Sequence, residues 1–207
     1  MVEFTTLLWD VGGVVLTDGW NQAIRRKAAE RFDLDAMDFQ KRHGQVEVNF
    51  ETGRLSLEQY LTHTVFYRLR PFTMNQFKDY MFAQSQPHAE VLAILSRLRR
   101  SGRYLLATLN NESLELNLSR IERFGLRRYF ALFFSSCFLG VRKPDAGIYR
   151  LALRVMQRDP QACLFIDDRE INLETARSLG IRTIHYRSPA QLLDELQRSG
   201  VRIPHHI

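Results

Sequence analysis

The chain has 207 residues, 45% apolar and 25% charged, with 29 Lys and Arg against 23 Asp and Glu for a formal charge of +6. That length suits one domain or a core with a smaller insert, and the composition excludes a disordered chain. No uninterrupted apolar run approaches the ~18–20 residues of a membrane span. Met1–Asp10 shows neither a basic start nor a cleavage site, and Cys137 and Cys163 are too few for a disulfide framework. A soluble, cytoplasmic protein is expected. The cations are 25 Arg and four Lys, interleaved with apolar residues at helical spacing. A nucleic-acid binder concentrates such charge on one face, so these read as solvated helix faces.

In chain order, Thr6–Trp9 is a short apolar run that suits a strand buried on both faces. From Trp20 to Gln86 no strand run occurs, and four helices are expected near Asn21–Phe32, Ala36–Phe50, Ser56–Tyr67 and Thr73–Ser85. Capping-box patterns open two of them, Ser56 with Gln59 and Thr73 with Gln76. His88–Arg100 and Asp145–Arg158 place apolar residues at helical spacing. Short apolar runs follow or flank them at Tyr104–Leu109, Tyr129–Phe134, Cys163–Ile166 and Ile181–Tyr186. Gly102, Gly125 and Gly180 stand where a helix should stop before such a run, Ser188-Pro189 opens a last helix and Gly200 ends it. Repeated strand–helix units imply an α/β fold with a doubly wound parallel sheet. Residues 1–18 and 87–207 form the expected core, and residues 19–86 a four-helix insert after the first strand. Pro204-His205-His206 reads most simply as a tail.

Ligands of open parallel sheets sit beyond the carboxyl ends of the strands. Asp10, Asn110-Asn111, Lys143 and Asp167-Asp168 fall at those ends or just downstream. Asp10 precedes Val11-Gly12-Gly13, so it either accepts hydrogen bonds from a glycine turn or is a carboxylate poised to attack an electrophile or bind a cation. Two adjacent acids after a buried strand are costly unless a cation intervenes, and Mg2+ takes one or two carboxylates, a carbonyl and waters. Asn172 lies one helical turn past Asp168. Lys143 is a compact ammonium in a chain that otherwise prefers arginine, and it is either a surface lysine or the neutraliser of a phosphate and its attacking carboxylate.

In this order, Asp10, Asn110-Asn111, Lys143-Pro144 and Asp167-Asp168 with Asn172 resemble the four motifs of the haloacid dehalogenase-like (HAD) hydrolase superfamily. The likeness covers nearly the whole chain. The insert resembles that family's small helical cap, and Gly140–Tyr149 resembles the third motif of the branch with glucose-1-phosphatase-like and epoxide-hydrolase N-terminal phosphatases. The resemblance implies a Rossmann-like core and a hydrolase that removes phosphate from a small phosphorylated metabolite, with no nucleic-acid or membrane partner. Asp10 would attack phosphorus and form an aspartyl-phosphate. Asp10, the Gly12 carbonyl and Asp168 would hold Mg2+, with Asp167 and Asn172 acting directly or through water. Asn110, Asn111 and the Val11 and Gly12 amides would hold the phosphate, and Lys143 would balance charge.

Two departures matter. Asn110 stands where the family usually has Ser or Thr, and Gly12 stands where many family phosphatases carry an acid–base Asp. Such a group contributes roughly 10²–10⁴ in rate, so slow turnover or a preference for acidic leaving groups is expected unless Asp18, His43, Glu47 or Glu51 supplies the proton. The alternatives are a metal-free 2-haloacid dehalogenase and a weakened site that binds a phospho-ligand or a protein.

Overall fold

The computed structural model describes residues 3–204; His205 and His206 lie outside the described residues. Five strands, β1 (Thr6–Trp9), β2 (Leu105–Asn110), β3 (Leu132–Ser135), β4 (Cys163–Asp167) and β5 (Arg182–His185), form one sheet in the order β3-β2-β1-β4-β5. Every pairing is parallel, and β1 is central, with Leu8 beside Ala107 of β2 on one side and Phe165 of β4 on the other. The chain leaves β1 for β2, adds β3, and returns across β1 to build β4 and β5. That reversal leaves a crevice at the carboxyl end of β1.

Alternation along β1 explains the two layers. Leu7 and Trp9 enter a cluster with α5 (Ala89–Ser101), α6 (Leu114–Arg123) and α10 (Pro189–Arg198), whereas Leu8 enters one with α8 (Ala146–Met156) and α9 (Glu170–Ser178). All three side chains are fully buried. Truncating one such leucine to alanine costs about 2–5 kcal/mol, because the neighbours only partly close the hole.

Between β1 and α5 lie α1 (Gln22–Arg31), α2 (Ala36–Glu51), α3 (Leu57–Thr64) and α4 (Met74–Ala83). They share a separate aromatic core of Trp20, Phe39, Phe50, Tyr60 and Phe77 that also takes in Leu116 of α6. Both expected capping boxes form, and a third joins Ser188 to Gln191 at the start of α10. No helix among the described residues is long and apolar enough to cross a membrane.

Two local expectations change. The strand expected over Tyr129–Phe134 begins only at Leu132. Gly125 at φ +59° turns the chain into a short 3-10 segment, Leu126–Arg128, and Tyr129 and Phe130 still bond back to Leu126. Their apolar character reflects packing of the turn onto the sheet, since Phe130 is buried without strand geometry. A short helix, α7 (Ser136–Leu139), follows β3 directly. Nor are all arginines on solvated faces: Arg25 and Arg120 are buried.

Candidate active site

Asp10 stands one residue past β1, its main-chain N–H bonded to Ile166 O at 2.8 Å and its Oδ1 accepting the Val11 N–H at 2.8 Å. The adjacent strand end delivers Asp167 and Asp168. One oxygen from each of Asp10, Asp167 and Asp168 lies within 4.8 Å of the others. Lys143, on the segment between α7 and α8, reaches into the group, with Nζ 3.1 Å from Asp10 Oδ1 and 2.6 Å from Asp167 Oδ2. Three carboxylates thus face one ammonium, with Lys143 and Asp167 almost wholly buried.

Burial raises the Asp10 carboxyl well above its ordinary value, and Asp167 and Asp168 add to this while Lys143 opposes it. Burial, with Asp167 and Asp18 nearby, likewise raises Asp168. For Lys143 burial works against the charged form, but Asp10 and Asp167 outweigh it and the ammonium is held. Buried carboxylates outnumber their one cation, so a divalent ion would remove the excess charge that the chain leaves unpaired.

The acids are not equivalent. Asp167 is saturated by donors from the chain: Oδ1 accepts the Arg169 N–H and an Asn172 amide N–H, and Oδ2 accepts Lys143 and the same amide. It therefore orients Lys143 and Asn172. Asp168 packs against Gly13, where φ is +81° and an added Cβ would stand 2.5 Å from Asp168 Oδ2. A side chain at Gly13 is excluded twice, by the left-handed backbone and by that carboxylate.

The expected phosphate-holding residues divide. The Val11 N–H is occupied by Asp10. Asn111 faces the cavity but uses its amide on Lys143, donating Nδ2 to Lys143 O at 2.9 Å and accepting the Lys143 N–H on Oδ1 at 2.8 Å. Asn110 departs from expectation. Its Oδ1 accepts from Ser135 and its Nδ2 donates one N–H to Asn117, so a buried network tying β2 to β3 and α6 engages the amide. Gly12 lies on the cavity wall; an added Cβ there would sit 3.6 Å from Asp18 Oδ1 and 3.7 Å from Arg120 Nη1, ordinary contact distances.

A cavity of about 470 Å³ joins this cluster to the insert, which contributes Trp20, Arg25, His43, Glu47, Phe50 and Glu51. Of the four groups considered as proton donors, Asp18 accepts the Asn21 amide at 2.7 Å. His43 and Arg142 hold Glu47 at about 2. Burial raises Glu51, although Arg142 Nη1 lies 2.6 Å from its Oε2. Burial lowers His43. Sequence reasoning missed Arg25 and Arg120. Arg25 donates to Trp20 O and Gln40, and Arg120 pairs with buried Glu112 and bonds Ser85. Only their long-range partners mark them, for each sits on a helix among other arginines.

A sequence profile described as haloacid dehalogenase-like hydrolase matches residues 4–180. Over 137 residues the chain is 28% identical to the bifunctional epoxide hydrolase 2 of Sus scrofa, covering 64% of this chain and 24% of that protein, so it spans about a quarter of that relative's length. A HAD family enzyme of Bacteroides thetaiotaomicron, BT-2542, solved with magnesium and inorganic phosphate, superposes with a TM-score of 0.73 at 19% identity, covering 89% of this chain and 94% of that one. A dehalogenase structure superposes with a TM-score of 0.67 at 18% identity, covering 93% and 97%. The five-stranded order, the acids at the ends of β1 and β4 and the profile match converge, and the chain belongs to the haloacid dehalogenase-like hydrolase family.

Proposed function

We propose that this HAD hydrolase is a Mg2+-dependent phosphatase acting on a small phosphorylated metabolite through an aspartyl-phosphate on Asp10. The observation that carries the reading is the excess of buried carboxylate over ammonium at one sheet end. Asp10, Asp168 and the Gly12 carbonyl would hold the ion, with Asn172 reaching it through water. When bound, Mg2+ screens the attacking carboxylate from the phosphate and polarises the phosphoryl oxygens.

In this mechanism Asp10 directs one oxygen at phosphorus, in line with the leaving oxygen. Lys143, fixed by Asp167 from the side and by Asn111 along its main chain, sits where it can meet a phosphoryl oxygen while keeping its contact with Asp10. Because Asp167 is spent on chain donors, it acts as a positioning residue. Gly12 brings no proton, so substrates whose leaving groups are already acidic (acyl and aryl phosphates) should react fastest. Magnesium and inorganic phosphate in the similar Bacteroides thetaiotaomicron enzyme support the choice of ion and substrate. Cys137 and Cys163, both free thiols, fit a cytoplasmic setting.

Steady-state hydrolysis of p-nitrophenyl phosphate and a panel of alkyl phosphates, with Mg2+ and with EDTA, tests this. Phosphate release that EDTA abolishes and Mg2+ restores is expected. The likeness to a dehalogenase keeps a second reading, attack of Asp10 on the carbon of a 2-haloacid. That reaction needs no cation and gains nothing from two further acids; chloride release from 2-chloropropionate unaffected by EDTA would replace the phosphatase reading with it.

A further inference from the structure

The wall that the insert gives the cavity carries a buried ring nitrogen with no hydrogen-bond partner among the described residues, His43 Nε2. Its other nitrogen, Nδ1, lies 2.9 Å from the Tyr60 hydroxyl, and Trp20 Nε1 lies 2.9 Å from the same oxygen. An indole N–H can only donate, so the Tyr60 oxygen accepts it. Directing the single Tyr60 proton at His43 Nδ1 satisfies this chain of contacts when that nitrogen is bare, the tautomer we assign. Neutral His43 is thereby held with its proton on Nε2.

Charge around the ring agrees with this. Burial, together with Arg25 and Arg142, disfavours the imidazolium, and Glu47 alone among the charged neighbours favours it. Burial also keeps the Tyr60 hydroxyl protonated. A neutral imidazole N–H is no proton source near pH 7, so His43 does not replace the acid missing at Gly12. It is a fixed donor.

Its neighbour supplies the matching acceptor. Glu47 Oε1 lies 3.8 Å from Nε2, longer than an ordinary hydrogen bond but close enough for the ring N–H to favour the carboxylate. Glu47 is held ionised and lines the same cavity. Nε2 itself has almost no accessible surface, so a shift of the half-exposed Glu47 side chain would admit a hydroxyl oxygen that accepts from His43 and donates to Glu47, satisfying both. We propose that His43 and Glu47 form a specificity-determining pair that reads one hydroxyl on the leaving group, so that among alkyl phosphates those carrying a further hydroxyl are favoured. This inference rests on the phosphatase reading.

The test compares kcat/KM for glycerol 3-phosphate, erythritol 4-phosphate and sorbitol 6-phosphate with that for the n-alkyl phosphate of matching length. At least one pair should show a preference of about tenfold to a hundredfold for the hydroxylated ester, the range of a hydrogen bond to a charged group. His43→Phe should bring that ratio close to one, chiefly through KM. Tyr60→Phe, which frees Nδ1 without removing the ring, should lower it in a chain that keeps histidine. Long-range 1H–15N spectra of the wild-type protein at pH 7 should show His43 protonated on Nε2. Turnover of p-nitrophenyl phosphate with ratios near one in all three pairs overturns the pair and leaves the phosphatase standing. Protonation on Nδ1, or a preference that survives His43→Phe, also overturns it. If p-nitrophenyl phosphate and every other ester are inert, both readings fall.

Discussion

The Asn111 side chain holds the main chain of Lys143 at both ends, its Nδ2 bonded to Lys143 O at 2.9 Å and its Oδ1 to Lys143 N at 2.8 Å. The ammonium that faces Asp10 is thus placed by a residue on a different strand end. Each such bond contributes about 0.5–1.5 kcal/mol net, but its larger effect is on geometry. Asn111→Ala should lower kcat by about tenfold to a hundredfold, since a small misplacement at a reacting centre costs that much. Comparing kcat with the thermal midpoint checks this; an unchanged kcat would mean that Lys143 is held adequately from its tip.

Gly13 offers a sharper case. A methyl group there would meet Asp168 Oδ2 at 2.5 Å, on a backbone at φ +81°. Gly13→Ala should displace Asp168 and weaken Mg2+ binding by at least tenfold, while strain at φ > 0 costs about 1–2 kcal/mol of stability. Titrating Mg2+ by calorimetry in both proteins separates the two effects.

Gly12 behaves oppositely. Its added Cβ meets only ordinary contacts with Asp18 and Arg120, so Gly12→Asp should fold normally. If the site is otherwise complete, the new carboxyl should raise turnover of alkyl phosphates by about tenfold or more, and aryl phosphates far less. Equal gains on both substrate types would show that leaving-group protonation does not limit the rate.

Glu47 gives the pH dependence its sign. His43 and Arg142 hold its folded-state value at about 2, against 4.5 in an unpaired glutamate. Stability from this depression is present above 4.5 and is lost as pH falls from 4.5 toward 2. With a side chain 38% exposed, the contribution is screened and stays below about 1 kcal/mol. Glu47→Gln should lower the thermal midpoint slightly at pH 7 and flatten its fall between pH 5 and pH 3, so that the two proteins converge at low pH. An identical acid limb in the two proteins would place that stability elsewhere.

Much of the architecture was legible beforehand because it is locally encoded. The Ser56–Gln59 and Thr73–Gln76 capping boxes span three residues each and form as written. The apolar runs at Thr6–Trp9 and Cys163–Ile166 suit strands buried on both faces, and they pair with each other. Tyr129 misled because an aromatic residue buries equally well in a turn as in a strand.

At the site, the spacing of Asp10, Lys143, Asp167 and Asp168 along the chain was enough to nominate them, since parallel strands send their carboxyl ends to one edge. Three-dimensional packing decided what each neighbour does. Asn110 and Asn111 are adjacent and chemically identical, yet one is bonded into the network between strands and the other clasps Lys143, because successive residues of an extended chain face opposite ways. Arg25 and Arg120 look like their exposed counterparts until the insert folds over them. The pattern of residue types therefore determined the sheet and its acidic edge, whereas pairings such as Trp20–Tyr60–His43 exist only after helices distant in sequence meet, and no local periodicity records such a meeting.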